Sequence, residues 1–427
     1  MLQISIALFI FIVTFYLIIS EKVPGAWATM AGGLSMALVG ILNEEKALEA
    51  VAERLEIIFL LVGMMIIVHY ISETGIFQWF AIKAAQLVRG EPFLLIVLLA
   101  IVTATFSAFL DNVTTILLMA PVSILLAVQL KLDPFPFVIT EIMAANIGGV
   151  ATIIGDPTQL IIGSESGLTF NEFILNTGPM AIFAMVILII NVYYIYGRDL
   201  KVSKELKANI MELDSSRTLK DTRLLKEAGT IFLLVILGFI LNNFVDKGLA
   251  IIALSGAILL VIIAQKSPSE ALKHVEWDTL FFFIGLFILV KGLSVTPLIN
   301  YISTKLIVIT KGHFDFAVLG ISWISAFFTS IIGNVANAAT TSKIIQIMIP
   351  TFRDAGHNID AFWWALSFGS CLGGNITLLG SATNVVAIST AKRAGVNISF
   401  VKFFKFGSLI AIQTLIFSNL YLYFRYL

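Results

Sequence analysis

Two polar interruptions constrain this chain more than anything else in it. They are Asp111-Asn112 and Gly155-Asp156-Pro157-Thr158-Gln159, each set in sequence otherwise apolar enough to lie in a bilayer. In hydrocarbon an unsatisfied backbone N–H or C=O is costly, so non-helical backbone at that depth persists only where protein or a water-filled cavity surrounds it. A carboxylate at the bilayer centre costs about 3 kcal/mol even on the mildest scale. Breaks of this kind are where a bound solute is expected.

Composition says that the surroundings are lipid. Of 427 residues, 59% are hydrophobic and 13% charged, against roughly 25% charged in a soluble domain. The reading is a polytopic membrane protein with the bilayer as its first partner. A formal net charge of zero argues against a nucleic-acid partner, which basic patches would serve. A single cysteine, Cys371, excludes an internal disulfide. The first apolar run, Ile4 to Ile19, lacks a basic n-region and a small-residue cleavage site, so it reads as a helix rather than a signal peptide.

Runs of bilayer length fall near residues 3–20, 26–42, 56–73, 94–130 (broken at Asp111-Asn112), 137–164 (broken at Gly155) and 177–197. The pattern recurs at 228–243, 249–264, 277–294, 314–350 (broken at Gly333-Asn334), 361–390 (broken at Gly380) and 406–424. A shift of 222 lays Glu56 on Asp278, Gly63 on Gly285, Lys83 on Lys305 and Asn112 on Asn334, with Asp111 on Gly333. A shift of 225 lays Gly148-Gly149 on Gly373-Gly374, Thr152 on Thr377, Gly155 on Gly380 and Thr158 on Thr383. The chain therefore divides into a first repeat, 1–197, a linker, 198–227, and a second repeat, 228–427. Interrupted segments at matching places in two halves point to a transporter's midplane site.

Charge indicates that the repeats are inverted. If 94–130 and 314–350 are re-entrant hairpins, each half crosses five times and the second half is reversed. With the 198–227 linker in the cytoplasm and both termini outside, 18 of the 27 basic residues lie inside, while the outer loops 43–55 and 165–176 are acidic or neutral by comparison. That satisfies the positive-inside rule, whereas full spans in place of hairpins would split the basic stretches between the two sides. The fold expected is all-α, with five membrane helices and one hairpin per repeat and unwound helices at the midplane. Two amphipathic segments, Ile76 to Val88 and Leu298 to Ile309, read as interfacial helices.

The strings F-S-A-F-L-D-N-V-T-T-I-L-L-M-A-P-V, N-I-G-G-V-A-T-I-I-G-D-P-T-Q and W-W-A-L-S-F-G-S-C-L-G-G-N-I-T-L-L-G-S-A-T-N-V resemble the ArsB/NhaD branch of the ion transporter superfamily. That branch holds arsenite efflux pumps, sodium/proton antiporters and the melanosomal P protein, and is more distantly similar to divalent-anion/sodium symporters. The resemblance implies a scaffold domain, and a transport domain of hairpins and unwound helices moving as an elevator. It implies a cation or proton site at Ser107, Asp111, Asn112, Thr114, Gly155, Asp156 and Thr158. Asn334 matches the second hairpin tip, opposite Gly380-Ser381-Ala382-Thr383-Asn384. The family's antiporters carry Asp-Asn at both tips, so Gly333 is a departure, one shared with members that handle arsenite or anions.

The residues support an asymmetric pair of sites without the family. Asp111, Asn112 and Asp156 offer hard oxygen ligands for sodium, or a carboxyl that carries a proton instead. Asn334, Asn337, Gly380, Ser381, Thr383 and Asn384 offer neutral hydrogen-bonding groups for an uncharged hydroxide or an oxyanion. Half-helix N-termini after each break favour negative charge. Asp111, the acidic group at a hairpin tip, is the expected coupling carboxylate. Lys343 could neutralise an anion or snorkel, Glu141 could relay a proton or sit at the interface, and Cys371 reads as packing. His69, His274, His313 and His357 are scattered without metal-ligand spacing.

The function expected is secondary transport, proton- or sodium-coupled, of a small inorganic solute such as arsenite, antimonite or another oxyanion across the cell (inner) membrane. A sodium/proton antiporter and a sodium-coupled carboxylate or anion transporter are the alternatives. No nucleophile or metal set marks an enzyme, and the only cofactor called for is the coupling ion. With no G-x-x-x-x-G-K-[ST] string, energy comes from an ion gradient or a separate ATPase subunit. A homodimer is compatible with the sequence.

Overall fold

The computed structural model describes residues 2–20, 22–198, 200–242 and 248–427. Residue 243, at the end of the run 228–243, and residue 199 of the linker lie outside the described residues. Among the described residues the regular structure is entirely helical, as a chain in hydrocarbon requires when each segment must satisfy its own backbone.

The first repeat comprises α1 (Leu2–Ile19), α2 (Gly25–Leu38), α3 (Glu44–Ala52), α4 (Leu55–Glu73), α5 (Ile76–Leu87), α6 (Pro92–Phe109), α7 (Asn112–Gln129), α8 (Phe135–Val150), α9 (Pro157–Ser166) and α10 (Phe170–Val192). The linker contributes α11 (Lys204–Met211). The second repeat follows the same order: α12 (Thr222–Ile240), α13 (Leu249–Ile263), α14 (Pro268–Lys273), α15 (Trp277–Ser294), α16 (Pro297–Ile309), α17 (Phe314–Ile332), α18 (Asn334–Arg353), α19 (Asp360–Gly373), α20 (Ala382–Arg393) and α21 (Phe400–Tyr426). Each expected break falls between two helices, and both amphipathic segments form separate short helices, α5 and α16.

The repeats pack symmetrically. Helix α2 lies along α15, and α4 lies along α13, which is the exchange of partners that an approximate twofold axis produces. Glycines permit the close approach. A Cβ on Gly285 would stand 2.3 Å from the Met30 nitrogen, and one on its repeat counterpart Gly63 would stand 2.7 Å from the Ala253 carbonyl carbon.

Two faces can be told apart by following α4. Its C-terminal end meets the linker, where the Lys220 N–H donates to the Thr74 carbonyl at 3.0 Å. Arg54, immediately before its N-terminal end, pairs with Glu165. The open end of the α6–α7 hairpin lies on the linker face, since Lys207 reaches Glu91 at 2.5 Å. The α17–α18 hairpin runs the other way: Lys343, nine residues beyond Asn334, meets Glu165 at 2.8 Å. The C-terminal end of α21 also lies opposite the linker, where Arg425 donates to Asn176, near the start of α10, at 2.8 Å.

Helices α8 and α9, about 24 and 15 Å long at 1.5 Å per residue, cannot cross singly. The break between them is written locally: Pro157 opens α9 where no N–H is needed, and Asp156 caps it by accepting from the Thr158 N–H at 2.7 Å. Each unwound stretch is clipped to the adjacent hairpin arm by a hydroxyl. Thr152 donates to the Ala108 carbonyl, and its counterpart Thr377 donates to the Ser330 carbonyl at 2.6 Å.

Candidate functional site

Both hairpin tips converge on Asp156. Asn112, the first residue of α7, donates its amide to Asp156 Oδ2 at 2.6 Å. Asn334, the first residue of α18, donates to Oδ2 at 3.0 Å and to Oδ1 at 3.2 Å. Two repeat-related asparagines, brought in by hairpins from opposite faces, therefore share one carboxylate. Asp156 is fully buried, and its repeat counterpart is Ser381, which carries no charge. Charge-assisted bonds of this kind are roughly twice as strong as neutral ones.

A second polar layer adjoins the first through Asn146 of α8. Its amide nitrogen donates to Asn375 Oδ1 at 2.8 Å and to Asn384 Oδ1 at 2.9 Å. Its oxygen accepts from Ser381 at 3.2 Å and from Asn112 at 3.4 Å. Asn384 in turn holds the carbonyls of Gly374 and Thr377 at 2.8 and 2.9 Å, groups that the unwinding leaves without helical partners. Asn337 donates to Ser370 at 2.8 Å, and Gln159 to Ser367 at 2.7 Å. The hydroxyls of Thr158 and Thr383, related by the repeat, are both buried without a hydrogen-bond partner. Such groups rarely stay unpaired in a folded interior.

The expected residues thus fall into two groups. Asn112, Asp156, Asn334, Ser381 and Asn384 form one connected network, with Thr158, Thr383, Gly155, Gly380 and Asn337 in the same unwound segments and helix starts. Among the described residues Asp111 makes no hydrogen bond into that network: it caps α7, accepting from the Thr114 N–H at 2.9 Å, and faces Leu61, Met64 and Leu160, within electrostatic reach of Asp156. Ser107 ties its hairpin arm to α8 through the Ala145 carbonyl at 2.6 Å. Residues expected in the cationic site and residues expected in the solute site are joined through Asp156 and Asn146. Gly155 and Gly380 are fixed by close approach, since a Cβ would stand 2.7 Å from the Ser107 carbonyl in one case and 2.5 Å from the Gly374 carbonyl in the other.

Gly333 needs a different reading. Asp111, its counterpart, has φ −70° and ψ 152°, whereas Gly333 has φ +86° and ψ 155°. That region is essentially closed to residues with a Cβ. The missing carboxylate at the second tip therefore follows from the path of the backbone and does not by itself report the charge of the solute.

Sequence reasoning missed Asn146, Asn375 and Glu276. The repeat sets Asn146 opposite Cys371, a buried packing residue of α19, which hid its role; an amide isolated in the apolar run of α8 was the available signal. Glu276, just before α15, lies within electrostatic reach of Asp111 and Thr114. Glu141 is buried, accepting from Ser123 at 2.5 Å and Thr103 at 3.4 Å, with its second oxygen unpaired. Lys343 belongs to an ion-pair cluster outside the network: Glu165 holds Lys343 on one oxygen and Arg54 on the other.

Residues 15–369 match the citrate transporter family, CitMHS. The "46 kDa membrane protein" of Mycobacterium leprae is 36% identical over 99% of this chain and 99% of its own length. The "P protein" of Homo sapiens is 33% identical over 95% of this chain, which spans 58% of that protein. The solved structure of the YdaH transporter of Alcanivorax borkumensis aligns with 96% of this chain and 97% of its own, with a TM-score of 0.59 at 13% identity. That of MtrF from Neisseria gonorrhoeae aligns with 87% of this chain and 80% of its own, with a TM-score of 0.51 at 13% identity. At such identity the likeness is one of fold. The match reaches the P protein, as the motifs implied, but carries no finer placement in the ArsB/NhaD branch: the chain belongs to the CitMHS family of membrane transporters.

Proposed function

We propose that the chain is a secondary active transporter that couples a proton or a sodium ion to movement of a small inorganic solute, such as arsenite, antimonite or another oxyanion. One observation carries the proposal: hairpins from opposite faces meet on a single buried carboxylate beside a layer of uncharged amides and hydroxyls. Among the described contacts of Asp156, every partner is an N–H donor and none is a cationic side chain. When the tips separate from it, its charge must be met by a proton or a cation, which makes Asp156 the coupling group in place of Asp111. The partnerless hydroxyls of Thr158 and Thr383 suit an uncharged, hydroxylated solute. A polyanion would have to bring its own cation to offset Asp156.

The motion proposed is an elevator, in which hairpins, α8–α9 and α19–α20 move against the scaffold of α2, α4, α13 and α15. The orientation proposed puts the 198–227 linker in the cytoplasm and both termini outside the inner membrane. Cysteines placed at Ser215 and Asn43 in a Cys371→Ser background should label from opposite sides; labelling from one side overturns that orientation. A second reading, sodium/proton antiport, is favoured by the sharing of Asp156 between both tips, since one carboxylate can serve two cations in turn.

Flux into sealed vesicles under an imposed pH gradient separates the readings. Gradient-driven arsenite movement that is lost in Asp156→Asn supports the first. Sodium-dependent proton movement without arsenite puts antiport ahead. No gradient-coupled flux of either solute overturns both.

A further inference from the structure

The histidines that look scattered in the sequence are not scattered in space. His69, in the last turn of α4, and His274, just after α14, stack their rings with centroids 3.5 Å apart. His69 Nε2 is 3.2 Å from Glu73 Oε1. One ligand atom from each of His69, Glu73 and His274 lies within 4.8 Å of the others. We infer that these three side chains form a binding site for a divalent transition-metal ion of the zinc class, on the linker face of the scaffold and separate from the Asp156 network.

The rings lie in nearly parallel planes, and imidazole lone pairs lie in the ring plane, so both rings must turn about their side-chain bonds to converge on one ion; the neutral imidazole is the form that binds metal. Two histidine nitrogens and a carboxylate oxygen make a three-ligand set for zinc, with the fourth tetrahedral position left for water. Hard cations such as calcium or magnesium favour all-oxygen sites, so nitrogen donors select against them. The groups that face the cluster are Tyr70, Lys266 and Glu270. The Lys266 ammonium is engaged by Glu270 at 3.1 Å, which limits its repulsion of a bound cation.

The internal repeat supplies an independent reason to expect a cation here. The shift of 222 lays His69 on Lys291 and α14 on α3. At the opposite face Lys291 reaches from α15 to Glu49 and Glu53 at 3.2 Å each, so an ammonium of the chain bridges the long helix to the segment around α3. At the linker face an imidazole, His69, stands at the position of Lys291, with the carboxylate of Glu73 beside it and the Lys266 ammonium turned to Glu270. A metal ion at this place would perform the same bridging, tying α4 of the first repeat to the α14 segment of the second.

The test uses the full chain, purified in detergent without a histidine tag and stripped with a chelator. Titration with zinc should show one saturable site per chain, and a rise in melting temperature that the chelator reverses. His69→Gln and His274→Gln should each weaken binding at least tenfold and remove the thermal shift, while the paired control His313→Gln with His357→Gln leaves both unchanged. Absence of saturable zinc binding by the unmodified chain overturns the inference without any variant. Binding undiminished in His69→Gln and His274→Gln, or lost in the control, overturns the assignment to these residues.

Discussion

If the two hairpin tips act through one carboxylate, removing their asparagines cannot have independent effects. Asn112→Ala deletes a 2.6 Å bond to Asp156, and Asn334→Ala deletes bonds of 3.0 and 3.2 Å to the same group. A hydrogen bond to a charged partner contributes about 1.5–3 kcal/mol, and about 1.4 kcal/mol is tenfold in an equilibrium. Each single variant should therefore lose roughly ten- to a hundredfold in gradient-coupled flux. The double variant should lose much less than the product. With one amide gone, the joint hold of both tips on Asp156 is already broken, so removing the second amide takes away less than it would alone. The floor is set by Asp156→Asn, which lacks the charge altogether. Initial rates in proteoliposomes for the two singles, the double and Asp156→Asn form the cycle. Strictly multiplicative losses, with the double well below Asp156→Asn, would refute the shared-carboxylate reasoning and restore two independent sites.

Two other perturbations follow from the same geometry. Glu165→Gln leaves Arg54, itself buried, without its partner, and breaking a buried pair costs about 3–5 kcal/mol, read as a lower melting temperature in detergent. Burial alone would raise the Glu165 carboxyl, but the Arg54 and Lys343 charges outweigh it and hold it below its ordinary value; the tie is therefore present at neutral pH and above, and is lost only as pH falls through that depressed value. A melting temperature that shows no acid-dependent loss relative to Glu165→Gln would contradict this. Gly333→Ala, which adds no charge, should impair transport nearly as much as Gly333→Asp, because both place a Cβ at φ +86°; normal flux in Gly333→Ala with loss only in Gly333→Asp would return the position to an electrostatic role.

Much of the fold was legible because the bilayer leaves few solutions. Asp156-Pro157 reads as a cap followed by a first-turn proline wherever it occurs, and inside an apolar run it can only be a helix restarting at depth. The repeat, read from Gly63 on Gly285 and Thr158 on Thr383, placed both unwound segments. What could not be read was which tip reaches which loop. Asn334 lies far from Asp156 in sequence, and the repeat pairs it with Asn112 without telling that packing brings both amides to the same carboxylate. Asp111 is ambiguous for a related reason: an aspartate before a helix is both a good cap and a good ligand, and only the direction of its side chain distinguishes them. His69 and His274 belong to different repeats, so no local spacing could have joined them.

The asymmetry of the repeats now has a physical location. Nearly every polar feature of the site has a counterpart in the other half: Asn112 and Asn334, Thr152 and Thr377, Thr158 and Thr383. Asp156, opposite Ser381, is the unmatched carboxylate to which both hairpin tips donate, while Asp111, opposite Gly333, and Asn146, opposite Cys371, are unmatched as well. A symmetric pair of carboxylates brought to one midplane point would repel at short range and would need two cations in every state. One carboxylate flanked by amides from both sides needs only one, and either tip can be withdrawn while the other still holds it. On the proposed transport cycle the two hairpins would act as matching gates on the one charge that Asp156 holds between them. The transporter should move one proton or sodium ion per carboxylate exposed, whichever hairpin opens.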